Sequence, residues 1–210
     1  MLQNLSAHIP KDKIAVIYHG IDEKLLQKEG AELPEINSDD GTLILGNAGR
    51  LTLQKGQQHL IEVAEKLKNQ NIKFKLYIAG TGELYDELQA SITAKNLQDE
   101  VLLLGFIPDM EAFMRSIDIF LLTSSWEGFG FVIVEAMAKG KPVVAFDITR
   151  NPEIVTDGKT GLLAKHPDVN DFVAKTVEII QNANLRQQLG SQAKQSVSDR
   201  FLITERITEL

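Results

Sequence analysis

Residues 42–48 (TLILGNA) decide the fold, together with the loop and the helix that follow them. They form a nearly continuous apolar run that ends at Gly49, and the helical pattern of Gln57–Asn69 comes next. A second apolar run, Phe74–Ala79, follows that helix. Two apolar strands joined by a helix predict a right-handed βαβ unit, in a parallel sheet that is buried on both faces.

The same alternation continues along the chain and predicts one α/β domain over residues 1–210. Further strands are predicted at Ile14–Tyr18, Val101–Leu104, Ile119–Thr123 and Val143–Phe146. Further helices are predicted at Leu84–Lys95, Met110–Ser116, Phe131–Lys139, Asp171–Gln181 and Leu185–Ser198. We read the polar stretch Glu29–Gly41 as a loop. The expected fold is a Rossmann-like, doubly wound parallel sheet of about six strands, closed by the C-terminal helices.

Composition excludes several classes of protein. The 210 residues include 22 basic and 29 acidic side chains, so the net charge is −7, which disfavours a nucleic-acid binder. No cysteine is present, which removes disulfides, thiolate catalysis and Cys-ligated zinc. No apolar run approaches the ~20 residues that a membrane-spanning helix needs. The N-terminus lacks the pattern of a secretory signal, so we expect a cytoplasmic protein.

Glycines, cations and a carboxylate follow the predicted strands. Ligands of open parallel sheets bind at the carboxyl ends of the strands, so these residues form the candidate site. Arg50 and Lys55 lie between glycines ahead of a helix and are candidate anion ligands. The alternative for these two is an ordinary solvated loop. The other residues that follow strands in this way include Gly49, Gly80, Gly82, Phe106 and Ile107.

The stretch from Glu127 to Gly140 is the sharper signal. Gly128 and Gly130 flank Phe129 where a helix starts, so the backbone there can approach an anion closely. The helix that follows is apolar all round except at Glu135, which predicts that it is buried. A carboxylate in such a helix needs partners, and a sugar diol near the helix start would supply them. The alternative is that Glu135 is half-exposed or ion-paired.

No cofactor is expected from the sequence. Gly80 and Gly82, which follow the predicted strand Phe74–Ala79, lack the third glycine of the dinucleotide fingerprint. Asp157–Thr160 reads as a turn rather than a phosphate loop. The histidines show no metal-ligand spacing, and the chain contains no Asp-x-Asp pair that would hold a diphosphate-bound metal. We therefore expect a site that works without metal.

A family resemblance follows from these motifs. Gly49-Arg50 with Lys55-Gly56, followed by the stretch EGFGFVIVE at 127–135, resembles the C-terminal half of retaining GT-B glycosyltransferases. More specifically, it is similar to the bacterial group 1 (family 4) hexosyltransferases of lipopolysaccharide, capsule and glycolipid synthesis. The segments 16–22 (VIYHGID), 152–155 (PEIV) and 158–163 (GKTGLL) fit in the same order. The resemblance covers roughly residues 14 to 200.

The resemblance implies a role for each matching residue. Arg50 and Lys55 would hold the diphosphate of a nucleotide sugar, with uridine, guanosine or adenosine as the base. Glu127 would contact the transferred sugar, and Glu135 would contact the ribose. The remaining donor-site residues would be Gly49, Gly80, Gly82, Phe106, Ile107, Gly128, Phe129, Gly130, Phe131 and Val132. Two cations and a helix N-terminus would stabilise the leaving group without metal, and retention of configuration is implied by the family alone.

The chain also departs from the family pattern. Thr149-Arg150-Asn151 replaces a glycine-rich turn, which changes the donor-sugar pocket and adds a cation. Residues 1–22 would be the segment that leads in from a second half, together with the first strand. The family's N-terminal, acceptor-binding half is expected to be missing here, and any membrane contact would be made through that half. We therefore expect the chain alone to be inactive.

Two other functions are compatible with the same residues. One is a non-catalytic module that binds nucleotide sugars, and the other is a different enzyme of the same architecture, such as a sugar-nucleotide epimerase or a phosphorylase. Replacing Glu127 separates the first from a transferase, because a sensor tolerates the change whereas transfer does not.

Overall fold

A single parallel sheet forms the centre of the protein. The computed structural model describes residues 20–26, 30–36 and 41–202. Within these ranges, six strands form the sheet: β1 (Leu43–Ala48), β2 (Phe74–Ala79), β3 (Val101–Gly105), β4 (Ile119–Leu122), β5 (Val143–Asp147) and β6 (Gly161–Lys165). Their order is β3-β2-β1-β4-β5-β6, and every pairing is parallel. The order reverses direction at β1, so the loops after β1 and β4 part there and leave a crevice.

Seven α-helices connect and flank these strands in the described part of the chain. They are α1 (Gln57–Asn69), α2 (Tyr85–Ala94), α3 (Met110–Ser116), α4 (Phe131–Ala138), α5 (Asn151–Ile154), α6 (Val169–Gln181) and α7 (Ala183–Arg200). Short 3-10 helices occur at Glu23–Leu26 and Leu53–Lys55. The doubly wound α/β fold expected from the sequence is thereby confirmed.

Two apolar layers cover the two faces of the sheet. Alternate residues of one strand enter different layers: Val144 and Phe146 of β5 join the layer of α1, α2 and α6, whereas Val143 and Ala145 join the layer of α3, α4 and α7. A strand in this position needs apolar residues on both sides. This is why the strands were recognisable as continuous apolar runs rather than as alternating patterns.

Two elements of the structure were not predicted from the sequence, and one predicted strand cannot be compared with it. The sixth strand of the sheet is Gly161–Lys165, which was not among the predicted strands. It was missed because its apolar core is only three residues long. The short α5 was missed too, since one helical turn has no readable period. The predicted strand Ile14–Tyr18 lies outside the described residues.

Candidate functional site: a cavity at the switch point of the sheet

The candidate site is a cavity where the loops after β1 and β4 separate. Its volume is about 340 Å³. It is lined by Ala48, Gly49, Lys55, Met110, Glu127, Phe129, Gly130, Phe131, Val132 and Glu135. Larger hollows of about 660 Å³ and 500 Å³ lie between α1 and α6 and beside α7, but the loops after β1 and β4 line neither. The position at the switch point, with Lys55, Glu127 and Glu135 in the lining, favours the smaller cavity.

An ion pair closes one wall of this cavity. Lys55 Nζ lies 2.7 Å from Glu127 Oε1 and 3.0 Å from Oε2. The Ser124 hydroxyl donates a further hydrogen bond of 2.6 Å to Glu127 Oε1. The side chain of Glu127 is only 5% exposed and that of Lys55 is 17% exposed, so the pair is largely removed from water. The carboxylate is therefore compensated by one cation and one hydroxyl.

The loop that carries Lys55 is fastened to the end of β4. Gly56 has a φ of 64°, and a Cβ atom there would lie 2.3 Å from the carbonyl oxygen of Thr123. The Thr123 hydroxyl donates to the Gly56 carbonyl at 2.9 Å. Only glycine permits this close approach with that backbone conformation. The approach brings Lys55, which follows β1, within reach of Glu127, which follows β4.

Glu135 lines the same cavity from α4. Its neighbours Ile133, Val134, Ala136 and Met137 are fully buried, whereas Glu135 itself is half-buried. Burial raises the pKa of the Glu135 carboxyl above its ordinary value, and the nearby Glu111 carboxylate adds to the rise. Side chains of a helix lean towards its N-terminus, so this carboxyl lies on the side of the turn at Gly130. A half-buried acid with a raised pKa in a cavity is a typical feature of a binding site.

Arg50 lies at the rim rather than in the lining. Its side chain is exposed, and its backbone carbonyl accepts a hydrogen bond of 3.0 Å from the buried amide of Gln57. No described residue forms an ion pair with its guanidinium. Arg50 and Lys55 belong to the same loop, so both cations lie at the carboxyl edge of the sheet, as the sequence predicted.

Gly80 and Gly82 have a packing role in the described structure. A Cβ atom on Gly80, whose φ is 137°, would lie 1.9 Å from the Gly49 carbonyl oxygen, and one on Gly82 would lie 2.3 Å from that of Leu51. The loop after β2 thus supports the loop after β1 through direct backbone contact. Neither glycine lines the cavity, so their assignment to a donor site stays a prediction.

The other residues predicted for the donor site divide into those that line the cavity and those that do not. Phe129, Gly130, Phe131 and Val132 line the cavity, as does Gly49. Phe106, Ile107 and Gly128 do not line it. Phe106 is 74% exposed beyond β3, and its role in binding a base stays a prediction.

Some details of the site were not predicted. Ser124, which donates to Glu127, was not among the predicted site residues, although its place three residues before Glu127 was a usable signal. Met110 lines the cavity from the start of α3 and has no sequence signal. The additional cation expected at Arg150 does not reach the cavity lining, because its guanidinium pairs with Glu153 at 2.9 Å.

Two searches of the described residues have negative results. No three His, Asp or Glu side chains among residues 20–26, 30–36 and 41–202 are grouped so that they could hold a metal ion. Within the same ranges, no helix is both long and apolar enough to cross a membrane.

Comparison with known proteins identifies the class. HepE of Anabaena, solved in complex with UDP, superimposes with a TM-score of 0.84 at 26% identity, covering 98% of this chain and 58% of that one. The fold is therefore the Rossmann-like half of a GT-B glycosyltransferase. The family model for glycosyl transferases group 1 matches residues 29–196, and the chain belongs to that family.

Two curated relatives give the same family. A poly(ribitol-phosphate) alpha-N-acetylglucosaminyltransferase of Staphylococcus aureus is 32% identical over 167 residues, which are 79% of this chain and 34% of the relative. An uncharacterised glycosyltransferase of Methanocaldococcus jannaschii is 35% identical over 187 residues, which are 88% of this chain and 49% of the relative. The chain thus spans half or less of the length of these relatives.

Proposed function

We propose that this chain is the nucleotide-sugar donor half of a hexosyltransferase that works without metal and retains anomeric configuration. The carrying observation is that Lys55, Glu127 and Glu135 meet in one cavity at the switch point of the sheet. The enzyme would transfer a hexosyl unit to a glycan or lipid-linked acceptor held by another half. Retention rests on the family resemblance.

Charge supports a diphosphate as the ligand. The helix α4 begins at Phe131 with Gly130 as its N-cap, and no side chain caps it. The amide groups of its first turn and the positive end of the helix dipole favour an anion at that place. Lys55 reaches the same cavity, and Arg50 is exposed at its rim. These three groups would also stabilise the negative charge that develops on a departing nucleoside diphosphate.

The Lys55–Glu127 ion pair supports a second role for the cavity, in which Glu127 binds the transferred sugar after the diphosphate has attracted Lys55. A diphosphate that attracts Lys55 competes with Glu127 for the same ammonium group. A buried carboxylate that loses its cation needs new donors, and the hydroxyls of a hexose in the cavity would supply them. Ser124 would keep its hydrogen bond to one carboxylate oxygen throughout. Glu127 would then contact the sugar, as the resemblance implies.

Glu135 would hold the ribose. Two neighbouring hydroxyls donate well to one carboxylate, and the half-buried position makes such hydrogen bonds stronger than they are in water. The solved complexes of HepE with UDP and with UDP-glucose support a uridine nucleotide as the first candidate. For the complete enzyme we propose a cytoplasmic location and a product in a surface polysaccharide or glycolipid, with any membrane contact made by the acceptor-binding half.

Thermal shift and calorimetry with UDP, GDP and ADP test the proposal. One of the three should stabilise the chain by about 2.7 kcal/mol at 100 times its Kd, with and without EDTA. The Lys55→Met and Glu135→Gln variants should bind at least tenfold more weakly, whereas Lys95→Met, which removes a surface cation paired with Glu65, should bind normally. Failure of all three nucleotides, or binding that requires a divalent ion, would overturn the proposal.

Glu127→Gln separates a transferase from a non-catalytic module. In a transferase reunited with its acceptor-binding half, this change should abolish transfer while nucleotide binding persists. A module that only binds the nucleotide sugar has no transfer to lose, so wild-type protein without transfer in that assembly would favour this alternative.

A further inference from the structure

The backbone at Thr149 is unusual. Thr149 lies in the loop after β5 and has a φ of 36°. That value falls in the left-handed region, which β-branched residues avoid because their side chains crowd the backbone. Such a conformation persists only where the surroundings enforce it, and it is concentrated at functional sites.

The turn around Thr149 is held by buried hydrogen bonds. The amide side chain of Asn151, which is fully buried, donates to the Phe146 carbonyl at 2.9 Å. The backbone N–H of Asn151 donates to the Ile148 carbonyl, and that of Ile148 donates to the Phe146 carbonyl, each at 2.9 Å. Phe146 and Asn151 are fully buried, so both ends of the turn are fixed, whereas Asp147 and Thr149 between them are exposed.

The side chain of Thr149 contacts the backbone of Glu127. Its Oγ1 accepts a hydrogen bond from the Glu127 N–H and donates one to the Glu127 carbonyl, both at 3.2 Å. On the preceding side, the side-chain amide of Gln54 donates to the Trp126 carbonyl at 3.1 Å, and the backbone carbonyl of Gln54 accepts from the Ser125 N–H at 2.8 Å. The peptide groups on each side of Glu127 are therefore held by loops from opposite sides of β4.

We propose that Thr149 is a positioning residue for recognition of the transferred sugar. The proposal rests on the function proposed above. Both oxygens of the Glu127 carboxylate are held in the cavity wall, so the depth to which they project depends on the backbone that Thr149 fixes. Groups that recognise a ligand need to be held within about 0.5 Å of the working geometry. The hydroxyl of Thr149 supplies this restraint, and its backbone conformation aims the hydroxyl at Glu127.

Three variants of one position separate positioning from a merely structural role. Thr149→Ser keeps the hydroxyl. Thr149→Val keeps the branched shape but removes both hydrogen bonds, and Thr149→Gly removes them while it relieves the backbone conformation. Thr93→Val is the matched control, because the Thr93 hydroxyl bonds to the Gln89 carbonyl on the exposed face of α2.

Calorimetry should compare UDP with UDP-glucose and UDP-N-acetylglucosamine for each variant. We expect the wild type, Thr149→Ser and Thr93→Val to bind one of the nucleotide sugars more tightly than UDP. Thr149→Val and Thr149→Gly should lose about tenfold of that advantage, while their affinity for UDP stays within about twofold. Thr149→Gly should melt no lower than Thr149→Val, because both lose the hydrogen bonds and only the glycine relieves the backbone conformation.

Three results would overturn the inference by itself, and a fourth would overturn both the inference and the proposed function. The inference fails if the Val and Gly variants keep the advantage of the nucleotide sugar, if affinities for UDP and nucleotide sugar fall in parallel, or if the wild type shows no advantage for either sugar. A wild type that binds none of UDP, GDP and ADP contradicts the proposed function itself, and the inference falls with it.

Discussion

Lys55→Met removes the cation from the buried ion pair and keeps most of the side-chain volume. Glu127 then retains the Ser124 hydroxyl as its hydrogen-bond donor at 2.6 Å, while the contacts of 2.7 and 3.0 Å to Lys55 are lost. Because only 5% of the Glu127 side chain is exposed, water replaces the ammonium group poorly. We therefore expect the variant to be destabilised in the absence of any ligand.

The structure sets the size of this effect. Breaking a buried ion pair costs about 3–5 kcal/mol, because it leaves an uncompensated charge. The cavity admits water beside Lys55, whose side chain is 17% exposed, so the lower end, about 3 kcal/mol, is expected. In a domain of this size, that corresponds to a fall in Tm of about 6–12 °C.

Urea denaturation at pH 7 measures the effect. The control Lys95→Met breaks a pair of 2.6 Å with Glu65, whose partners are 30% and 38% exposed, and should cost less than about 1 kcal/mol. The double variant Lys55→Met/Glu127→Gln removes both charges. It should recover to within about 1 kcal/mol of the wild type, because a neutral buried pair carries no such penalty. The m-values should stay equal, which keeps the comparison two-state.

The reasoning is refuted if Lys55→Met is no more destabilising than Lys95→Met. It is equally refuted if the double variant is as unstable as Lys55→Met alone, since the loss would then come from packing of the lysine stem rather than from charge. A coupling free energy near zero in this cycle would mean that the two side chains do not depend on each other.

Other predictions concern the remaining residues of the site. Glu135→Gln should raise the Tm at pH 7.5. The pKa of Glu135 is raised in the folded state, so its ionisation costs the wild type stability as the pH rises through that pKa. In a series of melts at different pH, the gain in Tm of the variant should vanish below the unfolded pKa, at about pH 4. Gly80→Ala should cost about 2–4 kcal/mol in urea unfolding, because its Cβ would lie 1.9 Å from the Gly49 carbonyl oxygen, whereas Gly128→Ala, with open space around it, should cost under about 0.5 kcal/mol; equal costs would contradict the packing role. Arg50→Ala should leave stability within about 0.5 kcal/mol and weaken diphosphate binding about tenfold or more by calorimetry; unchanged binding would remove Arg50 from the site.

Local patterns predicted most of the fold. Five of the six strands could be read from the sequence. Four of them lie in the interior of the parallel sheet and are apolar on both faces, and the edge strand β3 begins with four consecutive apolar residues. The helix from Phe131 could be read because it is apolar all round. The edge strand β6 could not, because the chain there carries only Leu162, Leu163 and Ala164 between polar neighbours. Three apolar residues between polar neighbours are too few to distinguish a strand from a turn.

The site was predictable in outline only. The sequence by itself determined which residues follow parallel strands, and therefore that Arg50, Lys55 and Glu127 gather at one edge near Glu135. The tertiary structure alone decided that Lys55 pairs with Glu127, that Gly80 supports the loop after β1, and that Thr149 holds the Glu127 backbone. These contacts join residues 22 to 72 positions apart. Distances at that separation depend on sheet order, twist and loop packing, which arise only when the whole chain has folded.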